Sequence, residues 1–190
     1  MYLKIKRILD IMLSIILLIL LIPLFIIIIV GLKINKVEKV VFSQIRTGKD
    51  NKLFNIYKFR TIYGKKENKF CSFLRRTGLD ELPQLINILK GEMSFVGPRP
   101  WIVDYSKYFT KKQFKRLNVL PGLTGLAQVT NCKDIFDKIN KDIQYINNIS
   151  LSLDIKIILK TIKLVFMNNK KEINETGIEQ EINLLKKQKR

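Results

Sequence analysis

Residues 11–32 read IMLSIILLILLIPLFIIIIVGL, twenty-two positions without a charged side chain. A straight helix of that length measures about 33 Å, enough to cross a hydrocarbon layer of roughly 30 Å. Pro23 stands near its middle, where it removes a backbone hydrogen bond and bends the helix. Each arm then reaches about half a bilayer. Both flanks are basic, with Lys4, Lys6 and Arg7 before the run and Lys33, Lys36 and Lys39 after it. Charge therefore gives no preferred orientation for a span. A re-entrant, Pro-bent hairpin with both ends in the cytoplasm satisfies both flanks, and a kinked span is the other reading. A cleaved signal peptide is disfavoured, because the apolar run is too long and no small-residue cleavage site follows.

Outward from this run, the 190 residues suffice for one domain with its own core. We divide them into an N-terminal membrane helix (1–35), a catalytic domain on the cytosolic face (36–168) and a polar tail (169–190). Net charge is +19, which favours an anionic partner. Residues 33–76 carry thirteen Lys or Arg against three acids, directly beside the apolar run, where anionic headgroups would attract them. The chain has two cysteines, Cys71 and Cys132, in no CxxC pattern, so a disulfide framework or zinc site is not indicated. It has no histidine, which excludes Ser-His-Asp and Cys-His nucleophile systems. Any catalysis falls to carboxylates, Lys or Arg.

Residues 40–45 and 53–59 are β-branched or aromatic runs joined by RTGKDNK, the pattern of a hairpin. Residues 65–69 form a polar connector. Leu82, Leu85, Ile86 and Leu89 recur at helical spacing, with Pro83 suited to the first turn and Gly91 to the stop. Two Gly/Pro-rich segments follow, GEMSFVGPRP (91–100) and LPGLTGLAQV (120–129). Residues 142–166 read as helical, with Lys156, Lys160 and Lys163 on one face. Such a helix suits a membrane interface or a core position with a solvated Lys edge. The expected class is α+β, mainly helical, with a small β-hairpin and interfacial amphipathic helices.

Asp80 and Glu81 fall at a helix N-terminus, where acids serve as caps and answer the helix dipole. Arg75 and Arg76 lie just upstream, and Arg99 is held between Pro98 and Pro100. Arginines converging on a helix N-terminus make a phosphate site. A carboxylate there can hold Mg²⁺ against phosphate oxygens or attack phosphorus itself. No GxGxxG or P-loop occurs, and no nucleic-acid-reading motif is present.

Together, KRILDIMLSIILLILLIPL, VFSQIRTGKDNKLFNIYKFRTI, GLDELPQLINILKGEMSFVGPRP, LPGLTGLAQVTN and DIQYINNISLSLDIKIILKTIKLVF resemble the monotopic phosphoglycosyl transferases of the bacterial sugar transferase family, small single-domain type. The resemblance implies that Asp80 attacks the β-phosphorus of a UDP-sugar, releasing UMP and leaving an aspartyl phosphosugar. Polyprenyl (undecaprenyl) phosphate then takes the phosphosugar, and glycan assembly begins. It further implies Mg²⁺ at Asp80 and Glu81, with Glu81 handling metal or proton. Arg75, Arg99 and its flanking Pro98 and Pro100 are implied in substrate binding, as are Lys58 and Arg60. A re-entrant helix bent at Pro23 and residence on the cytoplasmic face of the bacterial inner membrane are implied as well. Partners are then a UDP-sugar, polyprenyl phosphate and the bilayer, with no nucleic acid. The chain departs from the family at Ile22, where a Ser usually precedes the Pro, at Leu120, and at Asn131-Cys132-Lys133. The last two departures motivate an alternative, a catalytically inactive scaffold of a glycan assembly pathway.

Overall fold

A computed structural model describes residues 2–62, 68–167 and 175–189. The connector read at 65–69 lies outside the described residues except for Asn68 and Lys69.

The N-terminal run forms two helices, α1 (Tyr2–Leu20) and α2 (Ile22–Ile34), bent by 60°. Leu21 is the joint, and Pro23 sits in the first turn of α2, where its missing N–H is least costly. The bend forms although Ile22 cannot offer the hydroxyl that a Ser would. No single described helix is long and apolar enough to cross a membrane; α1 and α2 meet that test only as a bent pair.

How α1 packs is unusual. Its buried residues are Lys6, Asp10 and Ser14, one polar stripe at four-residue spacing. Most of its apolar side chains, among them Ile8, Met12, Ile15, Ile16, Ile19 and Leu20, are exposed, while Leu17 and Leu18 pack in part against the core. Polar anchors hold the stripe. Lys6 donates to Asp154 Oδ2 at 2.6 Å, and Tyr2 donates to the same oxygen. Asp10 Oδ1 accepts from the Phe95 N–H, and Arg7 donates to the carbonyls of Ile88 and Leu89.

Strands β1 (Val41–Thr47) and β2 (Leu53–Phe59) pair antiparallel, Val41 opposite Phe59 and Thr47 opposite Leu53. The first strand runs two residues further than its apolar pattern suggests. Period-two alternation puts Phe54, Ile56 and Lys58 on one face, with Phe42, Gln44 and Arg46 opposite them. Helix α3 (Lys69–Thr77) is capped by the Asn68 side chain and stops at Gly78, whose φ of 75° suits glycine. A 3₁₀ turn, Leu79–Glu81, follows at once, and then α4 (Gln84–Lys90). Its buried face is Gln84, Leu85, Asn87 and Ile88, while Ile86 and Leu89 are exposed, so the expected apolar stripe is rotated. The reason is Asn87. It donates to the Asn55 carbonyl at 2.7 Å and accepts from the Tyr57 N–H at 3.1 Å, tying α4 to the open edge of β2.

The two Gly/Pro segments meet as a parallel pair, β3 (Ser94–Val96) with β4 (Gly122–Thr124). A Cβ on Gly122 would stand 2.1 Å from the Gly97 nitrogen, so backbone packs directly on backbone. Between these strands lie α5 (Val103–Ser106) and α6 (Lys111–Phe114). The helical stretch expected over 142–166 is two helices, α7 (Ile135–Asn147) and α8 (Leu151–Phe166). Ser150 caps α8 by accepting from the Leu153 N–H, which starts a new helix where the run Asn147-Asn148 ends the old one. Leu151, Ile155, Leu159, Ile162 and Phe166 on α8 are exposed, as are its three lysines. Helix α9 (Glu175–Lys189) packs back on the domain. Its Leu185 is fully buried in a cluster with Trp101, Tyr105, Phe109, Ile135 and Ile139.

Candidate active site

The acids of the 3₁₀ turn are nearly buried, Asp80 at 7% and Glu81 at 8% exposure. Gly78 turns the chain out of α3, so both carboxylates precede α4 on a tight turn rather than within a regular helix. Two adjacent buried acids are unfavourable unless cations answer them. One does so from the hairpin: Lys58 Nζ donates to Glu81 Oε1 at 2.8 Å. Arg60, two residues on, turns elsewhere. Its Nε donates to the Lys39 carbonyl, and its guanidinium lies 5.6 Å from the Phe42 ring centre. Arg75, near the end of α3, donates to the Thr61 carbonyl at 2.8 Å and so holds the chain leaving β2.

Pro98-Arg99-Pro100 follows β3, and each of its carbonyls is held by a different element. The Pro98 oxygen accepts from the Gly122 N–H at 2.9 Å. Arg99 O accepts from Arg116 Nη2 at 2.7 Å, and Pro100 O from Arg46 Nη1 at 3.4 Å. The backbone is therefore fixed on three sides, leaving the Arg99 side chain to project. Arg116 is itself 2% exposed, bonded to Asp142 Oδ2 through Nε and Nη2, with its guanidinium carbon 3.8 Å from the Trp101 ring centre. Burial pushes the Asp142 carboxyl up, and the Arg116 charge opposes the shift.

Sequence reasoning missed Arg46, Arg116, Trp101 and Asp142. Arg46 carried a usable signal: on an alternating strand it faces the same way as Gln44 and, across the ladder, Lys58. The Arg116–Asp142 pair had none, since its partners sit twenty-six residues apart on separate helical segments.

Carboxylates beside a lysine, and an arginine on a backbone held at three carbonyls, are groups whose chemistry suits phosphate. The family model for bacterial sugar transferases matches residues 1–168. The chain belongs to the bacterial sugar transferase family, and with it to the phosphoglycosyl transferases. It is 39% identical over 159 residues to the uncharacterized sugar transferase EpsL of Bacillus subtilis, covering 76% of this chain and 78% of that one. It is 37% identical over 187 residues to the UDP-glucose:undecaprenyl-phosphate glucose-1-phosphate transferase of Klebsiella pneumoniae, covering 86% of this chain but 40% of the relative. A UDP-N-acetylgalactosamine-undecaprenyl-phosphate N-acetylgalactosaminephosphotransferase of Aeromonas hydrophila is 36% identical over 186 residues, 86% of this chain and 44% of its own length. The chain thus spans less than half the length of these two functionally named relatives.

Proposed function

We propose that this protein transfers a sugar phosphate from a UDP-sugar to undecaprenyl phosphate through a covalent intermediate on Asp80. The carboxylate oxygen of Asp80 attacks the β-phosphorus, the bond to the bridging oxygen breaks, and UMP leaves with that electron pair. The phosphate oxygen of the polyprenyl acceptor then attacks the same phosphorus and returns Asp80 as a free carboxylate. The product is a polyprenyl diphosphate sugar. Lys58 holds Glu81, and Arg99 neutralises phosphate oxygens as charge redistributes.

The reading is carried by one observation: Asp80 and Glu81 are adjacent and nearly buried on a turn, with a lysine on the second acid. A nucleophile in a chain without histidine needs a group that is already ionised, and a carboxylate is one. Support also comes from the relatives, two of which are named for transfer to undecaprenyl phosphate. Mg²⁺ fits the donor set, since it is held through one or two carboxylates completed by phosphate oxygens and water. Asp80 and Glu81 would hold it, and it would supply positive charge at the phosphates. Among the described residues no group of three or more Cys, Asp or Glu forms a metal cage, which agrees with an ion completed by substrate.

The same proposal places α1 and α2 in the cytoplasmic leaflet as a re-entrant pair. A helix whose polar stripe faces protein and whose apolar side chains face outward is at rest in lipid rather than water. The exposed apolar face of α8, with Lys156, Lys160 and Lys163 alongside, suits the headgroup boundary.

The test is UMP release from a panel of UDP-sugars by full-length protein in nanodiscs with undecaprenyl phosphate and Mg²⁺. Release that Asp80→Asn eliminates is the expected result. An Asp80→Asn variant working near the wild-type rate would sink the nucleophile.

A further inference from the structure

Two guanidiniums stand at this site with no carboxylate paired to them among the described residues. Arg46 lies on the inward face of β1, in the same face as Lys58 of β2. Among the described residues no acid lies within ion-pair distance of it, and its hydrogen bonds go to neutral oxygens: Gln44 Oε1 at 2.5 Å and, at a long 3.4 Å, the Pro100 carbonyl. Its Nε is buried with no hydrogen-bond partner. The Arg99 side chain makes no hydrogen bond to any described residue.

This arrangement is unfavourable as it stands. Burial first, and the Arg99 charge second, lower the Arg46 pKa to about 10, with Glu81 acting in the opposite direction. Glu81 makes no ion pair with Arg46; its Oε1 accepts from Lys58 Nζ. A half-buried guanidinium beside a second cation, with a buried donor left unused, is what a missing anion would resolve. A plain structural role explains less. Its two hydrogen bonds, to the Gln44 amide oxygen and the Pro100 carbonyl, both go to neutral acceptors and require no charge.

We infer that Arg46 is a second phosphate-binding arginine, gripping phosphoryl oxygens of a substrate together with Arg99. The inference rests on the transfer reading for the identity of that substrate, which presents phosphate twice: in the donor diphosphate and in the acceptor monophosphate. The fork geometry of guanidinium suits either.

The experiment uses full-length protein in nanodiscs of uncharged phosphatidylcholine with Mg²⁺ present. Calorimetric titration with UDP, and separately with a short-chain prenyl phosphate, compares wild type, Arg46→Gln and Arg46→Lys, with thermal unfolding as the check on folding. Gln removes the charge and keeps a neutral amide, and Lys keeps the charge without the fork. Affinity for a phosphate-bearing probe is expected to fall about tenfold or more in Arg46→Gln and to recover in part in Arg46→Lys. Uridine, which lacks phosphate, serves as the control. Loss confined to UDP assigns Arg46 to the donor, and loss confined to the prenyl phosphate assigns it to the acceptor. If the Gln form does not fold, Arg46→Met takes its place in the comparison. Unchanged affinity of the Gln variant for both probes, or an equal loss of affinity for uridine, overturns the inference. So does a wild type that binds neither probe. UMP release measured on the same samples separates the two claims: Arg46-dependent binding without release from any donor would keep the phosphate site and overturn the transfer reading.

Discussion

Helix α1 and the Trp101 end of the molecule are built on opposite plans. Around Trp101, apolar groups from α5, α7 and α9 meet one another, and Leu185 and Ile135 are excluded from solvent. On α1 the order is reversed, with Lys6, Asp10 and Ser14 inside and isoleucines and leucines outside. Both regions are tightly anchored, but the anchors differ. Non-directional burial holds the first, and hydrogen bonds and one ion pair hold the second. In water the second plan leaves a large apolar surface exposed; against lipid it leaves none. The contrast shows that polar contacts can seat a helix whose apolar side chains mostly face away from the protein.

The largest expected effect comes from breaking the polar anchor. Asp154→Ala leaves Lys6 buried without a partner and removes the acceptor of Tyr2 and Tyr145. It should destabilise the protein in detergent by about 3–5 kcal/mol, read as a drop in the denaturation midpoint. A loss under 1 kcal/mol would mean that α1 is seated by its few apolar contacts instead. Next comes the apolar anchor. Leu185→Ala should cost about 2–4 kcal/mol by opening a cavity under α9, and it should leave vesicle association of the protein unchanged. Arg116→Met tests the join between that end and the site. It retains some packing on Trp101 but leaves Asp142 unpaired and frees the Arg99 carbonyl. Turnover should fall by about tenfold or more even at temperatures where the fold is intact. The smallest effect on stability belongs to Ile16→Gln, an exposed position. It should shift the detergent midpoint by no more than about 0.5 kcal/mol while weakening partition into vesicles. Equal sensitivity of both readouts would place this side chain against protein.

The bend was legible because a proline leaves a local mark: residues 11–32 announce both an apolar helix and its break. The polar stripe of α1 was not, because Lys6 and Asp10 look like ordinary flanking charges until Asp154, 148 residues away, is brought beside them. The acidic turn was legible as chemistry but not as geometry. Its helix was expected to bury Leu82, Leu85, Ile86 and Leu89, and an asparagine bonded to a strand edge rotated that face. The division of residues 142–166 is not legible in the apolar period, which runs on through both helices. Its local mark is the cap at Ser150. Arg46 was hidden among thirteen basic residues in one stretch, where composition suggests a surface and strand alternation points inward.

The seam between Gly97 and Gly122 bears on how such an enzyme can diversify. Any side chain at either position collides with main chain, and main chain cannot yield as a flexible side chain can. The presentation of Arg99 is therefore closed to gradual adjustment, since every single-step change at the seam is a loss. Change has to enter elsewhere, and the side chains of Leu120 and residues 131–133 reach solvent at least in part. The departures from the family thus fall outside the two glycines of the seam, at side chains that can change without displacing main chain.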